Sequence, residues 1–116
     1  MTLTPFESAL MLHFVGDWLL QNQWMAVNKV SLTHPASWIH GAIHGILLGL
    51  ILGPLAGLVL ALLHMLVDTR RPIRFWIRAF KRCESSPELP QILIWCDQVL
   101  HIGCIAAWIA IAGNWK

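Results

Sequence analysis

Charge is scarce in this sequence. Only 12% of its 116 residues are Asp, Glu, Lys or Arg, whereas 57% are hydrophobic; an ordinary soluble domain is about a quarter charged. No charged side chain of either sign occurs between residues 30 and 67, and residues 98–115 form a second uncharged run. The first run alone allows two bilayer crossings at roughly 17–25 residues each. These absences argue against a soluble fold and predict a single integral membrane domain over residues 1–116. Cysteine is equally sparse. Cys83, Cys96 and Cys104 are an odd, unpatterned set that indicates no disulfide framework. The opening residues lack a basic stretch, and no small-residue cleavage site follows the first apolar segment, so no cleavable signal peptide is expected. The net charge of +2 is small, and no nucleic-acid partner is expected.

The few polar residues are not scattered. His13 and Asp17, His40 and His44, His64 and Asp68, and Asp97 and His101 form pairs four residues apart. That spacing puts both members on one helix face, one turn apart. The pairs use five of the six histidines and all three aspartates, each in or beside an apolar segment.

The segments around them predict an all-α polytopic membrane bundle of four helices. Residues 5–23 read as the first helix, with Thr4 as its cap and Pro5 in its opening turn. Its polar stripe of His13, Asp17 and Gln21 must face the bundle interior. A polar connection over residues 22–35 leads to a second helix over residues 36–52. Gly53-Pro54 then breaks the chain before a third helix that ends at Asp68. Glycines 41, 45, 49, 53 and 57 form a small-residue stripe through this hairpin, a pattern that allows close helix approach and raises the expectation of a homo-oligomer. Residues 69–82 carry six basic side chains and no acid. Ile73, Trp76, Ile77 and Phe80 at helical spacing predict an amphipathic helix lying in the membrane interface between helices three and four, attracted to anionic lipid. A loop over residues 83–90 precedes the fourth helix, residues 91–112. The seven tryptophans mark interfaces and core packing.

Seven of the eight Lys and Arg fall in the first and third connections. The positive-inside rule places those connections in the cytoplasm and both termini outside, in a bacterial inner membrane. All four pairs then lie near the cytoplasmic end. Antiparallel packing predicts a shallower layer of Asp17, His40, Asp68 and Asp97 over a deeper one of His13, His44, His64 and His101.

Ionisable residues inside membrane segments are costly and usually functional, and burying aspartates without partners would cost on the order of several kcal/mol each. All eight residues are therefore candidate ligands for divalent metal, with room for two ions. Imidazole and carboxylate donors suit zinc, and an i, i+4 His pair is a recognised zinc arrangement. Asp17 and Asp97 are the candidate catalytic carboxylates, while Arg70 and Arg71, with Arg74 after them, follow Asp68 and are candidates for holding a substrate phosphate. Gln21, Gln23 and Gln98 could orient ligands or be ordinary helix-end polar residues. His34 reads as a loop residue and Cys104 as a small core hydrophobe bordering the site. The expected activity is metal-dependent hydrolysis of a phosphoester in a lipid or lipid-linked substrate at the cytoplasmic interface. Four alternatives stand beside it: a haem or iron redox module, a proton relay, a non-enzymatic metal transporter or scaffold, and His–Asp pairing that only locks helices together.

The stretch from His13 to Trp24, with His40-x-x-x-His44, His64-x-x-x-Asp68 and Asp97-Gln98-x-x-His101, resembles domain-of-unknown-function family 3307, small membrane proteins of bacteria and phages. The resemblance covers nearly the whole chain and implies no established activity. More distantly, the HxxxD pairs His13/Asp17 and His64/Asp68 resemble the zinc-binding helices of phospholipase C and P1-type nucleases and of membrane-bound metal-dependent hydrolases. That likeness implies that the four residues are metal ligands. An equivalent of those soluble enzymes' N-terminal ligand is absent.

Overall fold

A computed structural model describes residues 2–112, and Lys116 of the charge argument lies outside them. Those residues form helices and connections, with no strand among them. Helix α1 (Pro5–Phe14) opens with a capping box. Thr4 Oγ1 accepts from the Glu7 amide at 3.1 Å, and Glu7 Oε2 accepts from the Thr4 amide at 2.8 Å. The helix runs on through a π turn, Val15–Leu19, closed by the Leu20 amide donating to Val15 O at 3.0 Å, so it ends at Leu19 rather than at residue 23 as expected. Helix α2 (Gln23–Asn28) lies in what the sequence presents as a polar connection. Asn22 caps it through the Met25 amide, and Met25 is buried.

Helices α3 (Pro35–Leu52) and α4 (Pro54–Asp68) form the central hairpin. The His34 ring caps α3 by accepting from the Ala36 amide at 3.0 Å, a local role away from the paired residues. Gly53, at φ 101°, supplies the left-handed residue between the two helices, and Pro54 starts the second. Helix α5 (Arg71–Trp76) continues as a π turn, Ile77–Lys81. Helix α6 (Leu89–Ala112) closes the fold and begins two residues earlier than its expected start at Gln91.

The four long segments and the short helix between the third and fourth match the expected order. Two of them, Pro35–Leu52 and Leu89–Ala112, are long and apolar enough to cross a membrane, whereas Pro54–Asp68 is apolar but shorter. Two small apolar cores hold the helices. Ala9, Leu48, Ala56, Leu60 and Ile105 form one toward the Gly53 turn. Val67, Ile73, Ile77 and Leu93 form the other beneath α5. The exterior is apolar: Leu50 and Leu19 are both 77% exposed, and Ile46, Leu55, Leu58 and Val99 also point outward.

The glycine stripe packs the hairpin within the chain. A Cβ on Gly57 would lie 2.5 Å from Gly45 O and 2.9 Å from Gly49 Cα, so α3 and α4 meet backbone to backbone. Gly57→Ala is expected to destabilise the hairpin by about 1–3 kcal/mol, the usual cost of overpacking. Gly49→Ala, whose added carbon would sit an ordinary 3.6 Å from Gly57 Cα, is expected to be the milder change. Unfolding midpoints of the purified variants in detergent provide the comparison.

Candidate metal centre

All eight paired residues are buried at the end of the bundle away from the Gly53 turn. Their i, i+4 spacing turns each pair inward, and antiparallel packing brings the four pairs to one level. Asp17, on the π turn of α1, is the first hub. Its Oδ1 lies 3.1 Å from His40 Nε2, 2.9 Å from His44 Nε2 and 3.6 Å from His64 Nε2. Its Oδ2 accepts from Gln98 Nε2 at 3.1 Å and lies 3.4 Å from His13 Nε2. Asp68, ending α4, is the second hub. His101 Nε2 is 3.0 Å from its Oδ1, and His64 Nε2 is 3.0 Å from its Oδ2. Asp97 completes the set, with Oδ2 3.4 Å from His101 Nε2.

The geometry suits a metal ion. In a tetrahedral zinc site, bonds of about 2.0–2.1 Å to nitrogen separate neighbouring ligand atoms by about 3.3 Å. The spacings among Asp17 Oδ1 and the Nε2 atoms of His40, His44 and His64 include 2.9, 3.1 and 3.6 Å, with 3.0 Å between His40 and His64. These four residues form one candidate ligand group, His64, Asp68 and His101 a second, and Asp17, Asp97 and His101 a third. Lys29 Nζ lies 3.6 Å from Asp68 Oδ1, and Arg70 lines the cavity beside Asp17 and Asp97.

Several details refine the expected site. The four deeper histidines do gather: the rings of His44 and His64 stack at 3.7 Å and those of His64 and His101 at 4.0 Å, with the His13 ring 5.1–5.7 Å from all three. The two-layer division does not carry over to the donor atoms, however. The group of Asp17, His40, His44 and His64 takes its first two members from the shallower layer and its other two from the deeper one. His13 stands apart from the three ligand groups, and its Nε2 meets Gln98 Oε1 at 3.0 Å. Gln98 thus joins His13 to Asp17. Gln23 is exposed on α2, and Cys104 packs against the apolar core beside His13, His64 and His101.

A cavity of about 180 Å³ opens beside this centre, and Asp17, Asp97, Lys29 and Arg70 are among the residues that line it. Arg70 adopts a left-handed conformation at φ 62°, which ends α4 and turns the chain into α5. Two of the expected phosphate-binding arginines therefore separate: Arg70 lines the cavity, whereas Arg71 is an exposed residue of α5 outside its lining. Lys29 was not among the expected site residues. Its only sequence signal was its isolation, and α2 is what carries it to Asp68.

Gly16 sets the floor of the site. A Cβ there would lie 2.7 Å from His44 Cε1 and 2.8 Å from its Nε2, so only glycine lets that imidazole reach Asp17. Gly16→Ala is expected to cut the bound metal of the purified protein at least as strongly as loss of one ligand, while helical content by circular dichroism stays unchanged. Elemental analysis of the variant beside His44→Ala is the check.

No curated protein and no solved structure matches this chain, so the likeness of its HxxxD pairs to zinc-dependent hydrolases rests on spacing alone. A family model does match, over residues 6–115, a range that includes every paired residue. The chain belongs to the family described as "Protein of unknown function (DUF3307)".

Proposed function

We propose that this chain is an integral membrane, metal-dependent hydrolase of phosphoesters, with its centre at the cytoplasmic end of the bundle. The observation that carries the reading is the convergence of imidazole and carboxylate donors at metal-ligand spacing beside a cavity with a cationic wall. Membrane residence is supported by the inversion of polarity, with Leu19 and Leu50 exposed while five histidines and three aspartates are buried. The basic residues 69–82 and Lys29 lie at the same end as the centre. By the positive-inside rule that end is cytoplasmic and both termini are outside.

Asp17, His40, His44 and His64 would hold one ion, with zinc the best match to the donors. Asp68, His101 and Asp97 would hold or face a second. A divalent metal bound there supplies Lewis acidity for attack by water on phosphorus. Asp97 lines the cavity and is less surrounded than Asp17, whose Oδ1 faces three imidazoles. Asp97 is therefore the better-placed general base, taking the proton of the attacking water. Lys29 and Arg70 would orient the phosphate and stabilise the charge that gathers on its oxygens.

The ring-on-ring packing of the histidines leaves a void of only about 10 Å³ beside them, which favours ions over a haem macrocycle. Toward the far end the interior is the Ala9–Leu48–Leu60–Ile105 core, and this favours a centre served from one side over a transport path.

Purified protein is expected to carry at least one equivalent of a divalent transition metal, lost in His64→Ala. Asp97→Asn is expected to retain metal of the Asp17 group while lowering turnover of a phosphoester by about 10²–10⁴-fold. Less than half an equivalent of metal, unchanged by His64→Ala, would sink the reading.

A further inference from the structure

The cavity beside the centre has two kinds of wall. Its inner walls are polar, formed by Asp17, Asp97 and Gln98 with Lys29 and Arg70. Its outer edges are Trp18 and Ile94, which are 62% and 42% exposed on the apolar exterior of α1 and α6. Gln21 lines the same cavity, and its Oε1 is buried without a hydrogen-bond partner. A volume of about 180 Å³ is below the roughly 300–1,000 Å³ of pockets that enclose a drug-sized molecule. It suits a phosphate and the first few atoms attached to it, but not acyl chains.

The depth of the cavity can be read from its neighbours. Trp18 follows Asp17, Trp38 lies two residues before His40, and Trp95 lies two residues before Asp97. At about 1.5 Å per residue, each indole is anchored within about 3 Å, along its helix, of a residue of the centre. All three are exposed, and the Trp38 ring N–H donates to Leu32 O at 2.8 Å. Exposed tryptophans with a polar tip settle at the headgroup level of a bilayer. That placement would set Lys29 and Arg70, which line the cavity beside Trp18, at the depth of lipid phosphates.

We infer that the cavity is entered sideways from the bilayer, between Trp18 and Ile94, by a phosphate ester that a membrane lipid carries. The phosphate is held by Lys29 and Arg70, a hydroxyl of the headgroup donates to Gln21 Oε1, and the acyl chains stay outside along the apolar faces of α1 and α6. The shared chemistry is a phosphate ester; a water-soluble ester would have to enter from the aqueous side instead. The assignment deepens the hydrolase reading, and it rests on that reading for the fate of the bound ester but not for its binding.

The test uses the full chain in phosphatidylcholine nanodiscs. One arm holds a few per cent of phosphatidylglycerol bearing a photoactivatable group beside its glycerol backbone. The other holds a short, water-soluble phosphate ester with the same photoactivatable group. The lipid probe is expected to label α1 and α6 around Trp18 and Ile94. Lys29→Gln or Arg70→Gln should lower that labelling by on the order of tenfold, the usual effect of losing a charge-assisted hydrogen bond. Ile94→Trp should block labelling by the lipid probe and spare labelling by the soluble one, while Ile94→Ala should leave lipid labelling intact or raise it. Saturating soluble ester that labels the same residues, with lipid labelling indifferent to Ile94→Trp and Ile94→Ala, would overturn the lateral route. Lipid labelling that follows this pattern in protein without metal would uphold the route while removing the hydrolase reading.

Discussion

The structure depends on two buried carboxylates. Asp17 and Asp68 each gather imidazoles from more than one helix: Asp17 meets His40 and His44 of α3 and His64 of α4, while Asp68 meets His64 within α4 and His101 of α6. A carboxylate removed from water loses several kcal/mol of solvation unless polar partners replace it. The four long helices are therefore held in rotation about their own axes by these contacts. Hydrophobic burial cannot do this alone, because the exterior of the bundle is as apolar as its two small cores. With so many large apolar side chains exposed, the remaining determinants are close backbone packing and polar contacts. Both are present: Gly45 and Gly57 bring α3 against α4, and the aspartates tie α1 and α6 to that hairpin.

The same contacts prepare the interior for a cation. Nitrogen lone pairs and carboxylate oxygens that converge at about 3 Å satisfy one another only in part; His40 Nε2 and His64 Nε2 face each other at 3.0 Å. Lys29 supplies a compensating charge at Asp68. The π turn at Asp17 contributes as well, because π turns concentrate at functional sites. Here it places Gly16 under the His44 ring and Asp17 at the centre of the donor set. Stability and the candidate metal centre thus draw on one group of atoms, with Lys29, Arg70 and the exposed Trp18 and Ile94 lining the cavity beside it.

Much of the architecture was legible in advance. Four-residue spacing alone requires that His13 face with Asp17 and His64 with Asp68 on a helix, whatever surrounds them. The breaks at Pro35 and Gly53-Pro54 set the helix order, and up-down order put every pair at the same end. Arg70 and Arg71 were not separable this way, since adjacent residues look alike until the left-handed turn at Arg70 sends one toward the cavity and the other outward. Lys29 was hidden for a related reason. Six residues of helix inside a polar connection leave little periodic signal, yet they carry its ammonium to Asp68.

The sequence by itself determined the helices, their inward polar faces and the common depth of the pairs, because these follow from local periodicity and from the small number of charges. Only the tertiary structure decided which donors share a group, why His13 turns to Gln98, and where the cavity opens. Those outcomes depend on side-chain tilt and helix rotation, which are set by contacts between residues 23 to 85 positions apart, at distances along the chain where spacing carries no information.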